Sequence, residues 1–163
     1  MEPWMTGSIT GVHSLQAALL YCFEHARLDL ARWTEGLTTE QLWRRSGQVA
    51  PVAFHIVHIG GSVERLMTYA AGKQLSQQQM SELRAEQETH EVTREKLLAQ
   101  LEEKLRGAEQ TLRALDLSDL SAVREIGRKR IPVPLAVLLT HIAEHTQRHV
   151  GEAIVTTKIV REA

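Results

Sequence analysis

An all-α four-helix bundle is the fold this sequence predicts. Apolar residues recur at steps of three and four through four separate segments, and no segment alternates apolar with polar residues at a period of two. The four segments, each 20–28 residues long by this reading, are joined by connections short enough for neighbouring helices to pack antiparallel. With 163 residues and 43 % apolar content, the chain suits one domain around one core.

The first helix is expected from near Ser8 or Thr10 to near Gly36, with Val12, Leu15, Leu19, Phe23, Ala26, Leu30, Trp33 and Leu37 along one face. A polar loop over 38–48 follows, in which Trp43 can pin the chain to the core. The second helix should open around Ala50 or Pro51, because proline is tolerated in a first turn. It carries Ile56, Ile59, Val63, Leu66 and Ala70, and Gly72 is a natural stop. Residues 73–88 are rich in Gln, Glu and Ser, and Ser76 could cap a short extra helical turn around 76–86. The third helix is the clearest, with Leu98, Leu101, Leu105, Ala108, Leu112 and Leu115 in a charged background. An irregular stretch from Asp116 ends at Pro132 and Pro134, which launch a fourth helix from about Leu135 to near Val160.

Charge and composition exclude several classes. A net charge of −1 gives no electrostatic reason to expect nucleic acid or an anionic membrane as a partner. The cluster Arg128, Lys129 and Arg130 reads as a solvated loop. No stretch approaches the roughly 20 apolar residues of a membrane helix. The N-terminus lacks the basic and apolar regions of a secretory signal. Cys22 is the only cysteine, so neither a disulfide framework nor a thiolate cluster is available, and a reducing, cytoplasmic setting is the expectation.

The eight histidines are informative through their placement. At about 100° per residue, with His145 at zero, His149 falls at about 40°, between Leu138 at about 20° and Ile142 at about 60°. Two imidazoles one turn apart on an inward face are costly to bury unless their ring nitrogens are satisfied, and one shared cation satisfies two at once. His141 lies at about −40°, on the border of that stripe. On the second helix His55 and His58 are one turn apart, His55 beside Ile59 and Leu66, His58 at the edge of the apolar arc near Ser62 and Arg65. A third imidazole from this helix would complete a site. Three neutral imidazoles suit Zn²⁺, Ni²⁺ or Fe²⁺ rather than Mg²⁺ or Ca²⁺, and leave a coordination position open. A di-iron carboxylate site is excluded, because no histidine follows an acidic residue at i−3. No P-loop, glycine-rich dinucleotide turn or nucleophile elbow is present. His13, His25 and His90 are expected at the surface or in grooves, and Trp4, Trp33 and Trp43 in packing contacts.

Residues 127–152 (GRKRIPVPLAVLLTHIAEHTQRHVGE) and 53–66 (AFHIVHIGGSVERL) resemble the fourth- and second-helix signatures of the DinB/YfiT-like superfamily. The resemblance spans about 8–160 and implies a single bundle domain with an up-down-down-up connection in place of simple antiparallel order. Carried over residue by residue, the family's three metal ligands match His58, His145 and His149. Where the family often has Gln, this chain has Glu152, which could be an outer-sphere acceptor, a fourth ligand or a base, or a half-exposed charge paired with Arg148 at i−4. The resemblance further implies a homodimer, and relatives that are transferases or isomerases using low-molecular-weight thiols such as mycothiol or bacillithiol. The expectation is a metal-dependent enzyme acting on a small-molecule thiol or water, with Glu152, His55 or His141 moving protons. Two rivals stand beside it. One is a non-catalytic, metal-stabilised dimeric bundle acting as a stress-response or binding module, and the other is a bundle whose histidines only pack.

Overall fold

A computed structural model of the chain describes residues 1–86, 88 and 91–162, so His90 lies outside the described residues. The protein is mostly helical, with long helices α1 (Ser14–Trp33), α3 (Val52–Ala70), α5 (Arg94–Ala114) and α6 (Leu135–Glu162) and short helices α2 (Thr39–Trp43) and α4 (Gln77–Ala85). Two short strands, β1 (Val123–Ile126) and β2 (Ile131–Pro134), precede α6.

Local chemistry sets the helix ends. α1 starts later than the apolar periodicity suggests, because His13 caps it: the His13 Nδ1 accepts from the Leu15 N–H at 3.1 Å, and Gln16 Oε1 accepts from the His13 N–H at 2.8 Å. Ser76 caps α4 in the same reciprocal manner with Gln79, so the short turn expected there is a helix of nine residues. The polar segment after Gly36 contains α2, capped by Thr38 and anchored by the fully buried Leu42. Trp43 fixes that segment by donating from Nε1 to the Val92 carbonyl at 3.0 Å. Trp4, by contrast, is exposed, and Trp33 lies under the Lys158 ammonium at 4.9 Å.

The absence of any sheet is corrected by the hairpin. β1 and β2 pair antiparallel, with Val123 opposite Pro134 and Ile126 opposite Ile131. Four-residue strands are too short to display a period of two, and Pro132 and Pro134 are tolerated because each strand has only one neighbour. The basic triplet Arg128 to Arg130 forms its turn, with Gly127 at φ 70°. The hairpin also starts α6: the carbonyls of Ala122 and Leu120 accept from the Leu135 and Ala136 N–H groups, each at 2.9 Å. Two otherwise orphaned donors of the helix N-terminus are thereby satisfied.

The core forms where the stripes of the long helices meet. Leu19, Phe23, Ala26 and Leu30 of α1 pack with Ile56, Ile59, Val63 and Met67 of α3, Leu97, Leu101, Leu105 and Leu112 of α5, and Leu135, Leu138, Leu139 and Ile142 of α6. On α5 the deepest first position is Leu97, with Leu98 only flanking the core. Side-chain contacts fix relative direction. Gln16 meets Leu112 and Thr34 meets Arg94, so α1 and α5 run oppositely. Cys22 meets Gln147 and Trp33 meets Arg161, so α1 and α6 run the same way. His55 meets His149 and His58 meets His145, so α3 and α6 are antiparallel. Among the described residues no helix is long and apolar enough to cross a membrane.

Leu105 is fully buried on α5, so Leu105→Ala should lower the free energy of unfolding by about 2–5 kcal/mol. Leu28→Ala, at a side chain 51 % exposed, should stay within about 0.5 kcal/mol of the wild type. Urea unfolding of both variants checks this, and similar losses in the two would contradict the assigned core.

Candidate metal centre

The antiparallel seam of α3 and α6 brings four imidazoles together. His55 and His58 face it from α3, one turn apart, and His145 and His149 face it from α6. Centroids of the His58 and His149 rings lie 4.5 Å apart, those of His145 and His149 4.6 Å, and those of His58 and His145 5.2 Å. One ring nitrogen from each of His58, His145 and His149 falls within 4.8 Å of the others, so the three form a group that could hold a metal ion. His58 Nε2 and His145 Nε2 are 3.1 Å apart. Ligands about 2.0–2.1 Å from one ion are separated by about 2.9 Å at a right angle and about 3.4 Å at a tetrahedral angle. One ion can therefore bridge these two nitrogens.

His55, His149 and Glu152 form a second, overlapping group. Glu152 Oε2 is 3.1 Å from His149 Nδ1 and 3.4 Å from His55 Nδ1, and the two Nδ1 atoms are 3.1 Å apart. Glu152 thus turns to the imidazoles, while Arg148, the partner its i−4 spacing suggests, pairs with Glu144 at 2.6 Å. His55 is almost wholly buried, and its Nε2 has no hydrogen-bond partner among the described residues. His141 falls in neither group: it is exposed and bonded through Nδ1 to Glu144 at 2.7 Å. His13 is the cap of α1, and His25 pairs with Glu2 at the surface.

One functional neighbour has no counterpart in the sequence reading. Glu86, the C-cap of α4, is buried, and its Oε2 lies 2.7 Å from His58 Nδ1. Its Oε1 accepts from the buried Arg65 guanidinium at 2.5 Å. Gly61 makes room for this pair, because a Cβ there would run into both Glu86 Oε1 and Arg65 Nη1. Phe54 stacks on the His58 ring, with centroids 5.3 Å apart and planes inclined by 14°. Nothing near Glu86 in sequence signals this role; a buried acid beside a ligand-type imidazole is visible only in three dimensions.

The electrostatics favour neutral rings. Burial, followed by the nearby His149 and His58 rings, pulls His145 down to about 4. Burial also lowers His55 to about 4, against the opposing pull of Glu152. His149 is lowered as well, first by burial and then by His58. Imidazoles neutral at pH 7 carry the lone pairs a metal requires. Outside the seam, burial raises the Cys22 thiol, whose sulfur accepts from Gln147 Nε2 at 3.3 Å, so it is not an activated nucleophile. A cleft of about 620 Å³, lined by Ala50, His55, Gly151, Glu152 and Thr156 among others, opens beside the second group.

In comparison with known families, the model of the DinB superfamily matches residues 22–153, a span that contains His55, His58, Glu86, His145, His149 and Glu152. No curated relative matches the chain.

Arg65 and Glu86 compensate one another away from water, and removing one partner of such a pair costs about 3–5 kcal/mol. Arg65→Met, which keeps the stem and deletes the charge, should therefore destabilise the metal-free protein by about that amount in urea. A loss below about 1 kcal/mol would mean that the Glu86 carboxylate does not depend on this guanidinium.

Proposed function

Since the chain belongs to the DinB superfamily, we propose that His58, His145 and His149 hold one divalent transition-metal ion, and that the protein is a metal-dependent enzyme acting on a low-molecular-weight thiol or water. The observation that carries the reading is the convergence of three imidazole nitrogens from two helices, within 4.8 Å of one another. An all-nitrogen donor set of this kind suits Zn²⁺, Ni²⁺ or Fe²⁺ and leaves coordination positions for a small molecule. When bound, the metal would supply a Lewis acid that lowers the pKa of a coordinated thiol or water.

The remaining residues divide the work around that point. Glu152 is half-exposed and within 3.4 Å of two imidazoles, so it is placed to take a proton from a small molecule and release it to solvent. His55, held neutral by burial, supports Glu152 and His149 by hydrogen bonding rather than by carrying charge. His141, exposed and occupied by Glu144, stands at the rim. The bundle in this reading is one domain over 8–160 in up-down-down-up order, supported by the α1–α5, α1–α6 and α3–α6 contact directions. The reading includes a homodimer in a cytoplasmic setting.

A second reading is favoured by the place of Glu152. Its carboxylate is close enough to His149 to close the open position, which would make the ion structural and the protein a metal-stabilised binding module. Cobalt(II)-loaded protein separates the two readings. Adding cysteine as a small thiol should produce an intense near-ultraviolet thiolate-to-cobalt band in wild type. The band should be lost in His58→Ala. A wild-type spectrum unmoved by thiol would overturn the thiol-activating reading.

A further inference from the structure

We infer that Glu86 is a positioning residue for the metal centre, through which α4 fixes the tautomer and orientation of His58. The inference rests on the three-histidine reading but concerns a residue outside the ligand set. His58 has two ring nitrogens, and only the one that carries no hydrogen can ligate. A buried carboxylate 2.7 Å from Nδ1 accepts the Nδ1–H and so commits the lone pair to Nε2, the atom 3.1 Å from His145 Nε2.

The carboxylate is itself constrained on every side. Arg65 occupies its other oxygen at 2.5 Å, which leaves Oε2 for the imidazole. The missing side chain at Gly61 leaves the space the pair fills. The Glu86 backbone closes the last turn of α4, its N–H donating to the Glu82 carbonyl at 3.1 Å. α4 in turn is tied to α3 by Gln79 donating to Thr68 at 2.8 Å, and to α5 by the Lys104 bridge to Glu82 at 2.7 Å. Phe54 holds the plane of the His58 ring from a face the carboxylate does not touch. A surface carboxylate would be screened by water and free to turn, whereas this one is buried and engaged through both oxygens, by Arg65 and by His58.

His58 reaches the seam from the edge of the α3 stripe, with Phe54 stacked on its ring and Glu86 at its Nδ1. His145 and His149 come from one helix, and the carboxylate at His149 Nδ1, Glu152, is on that helix too, whereas the carboxylate at His58 Nδ1 comes from a separate helix, α4. The docking of α4 and the affinity for metal should accordingly be linked, each strengthening the other.

Two measurements on the full chain test this. Nitrogen-15 NMR of the metal-free protein at neutral pH should show His58 with its proton on Nδ1, and Glu86→Gln should abolish that preference. Zn²⁺ affinity, read by competition with a chelating dye, should fall about 10–100-fold in Glu86→Gln. Gly61→Ala, which displaces the carboxylate without removing charge, should weaken Zn²⁺ in the same direction. Should Glu86→Gln not fold, the Arg65→Met, Glu86→Gln pair, which strands no charge, replaces it with the same expectation. A wild-type His58 protonated on Nε2, or a Zn²⁺ affinity within twofold of wild type in the folded variant, would overturn the inference. Failure of the three-histidine reading looks different: wild type would not compete for Zn²⁺ at all, while the tautomer result would still stand or fall independently.

Discussion

The structure depends on the way α3 seats antiparallel against α6. Above and below the site the seam is ordinary core, with Ile56, Ile59, Leu138 and Ile142 excluding water. At His55, His58, His145 and His149 the same inward positions carry imidazoles, which lose hydration on burial and repel one another when protonated. Such a cluster persists only if its nitrogens are satisfied by shared protons, by carboxylates or by a cation. Glu86 and Glu152 supply carboxylates from opposite sides, each beside the Nδ1 of a different imidazole. Neither carboxylate reaches the buried His55 Nε2, nor the Nε2 atoms of His58 and His145, which face each other across 3.1 Å.

The scaffold isolates this cluster from its surroundings. The hairpin caps the start of α6 and sets the phase at which the helix enters the seam, because the backbone of Leu120 and Ala122 holds its first turn. α4 closes the other side and delivers Glu86. The bundle thus brings three separate stretches of chain to one site, α3, the end of α4 and α6, while Cys22 faces Ala143 and Gln147 on a different side of α6. The two carboxylates are placed unequally: Glu86 is buried between Arg65 and His58, whereas Glu152 is half-exposed beside His149.

Much of the architecture was legible because helices repeat their signal. The α5 stripe needs no tertiary knowledge, and the phase of His145 and His149 beside Leu138 and Ile142 follows from one helical wheel. Single residues and short elements were less legible. The start of α1 was read too early because Val12 continues the apolar spacing, while the capping imidazole of His13 decides the boundary. The hairpin escaped because two prolines read equally well as the launch of a helix. His55 sits centrally in the apolar arc and His58 at its edge, so periodicity cannot choose between them. The resemblance chose His58, and the edge position is where α4 and α6 both approach. Glu86 lies 28 residues from His58 in a stretch of Gln, Glu and Ser. A buried acid has no local pattern, so only the docking of α4 reveals it.

Metal content measured directly tests the central claim, that three imidazoles from α3 and α6 share one ion. Wild type and the single variants His58→Ala, His145→Ala and His149→Ala, purified without a histidine tag and dialysed against a weak chelator, would be analysed by mass spectrometry of the elements. The account predicts close to one equivalent of a single transition metal per chain in wild type and almost none in each folded variant. Equal metal in wild type and variants, or none in any of them, would contradict it.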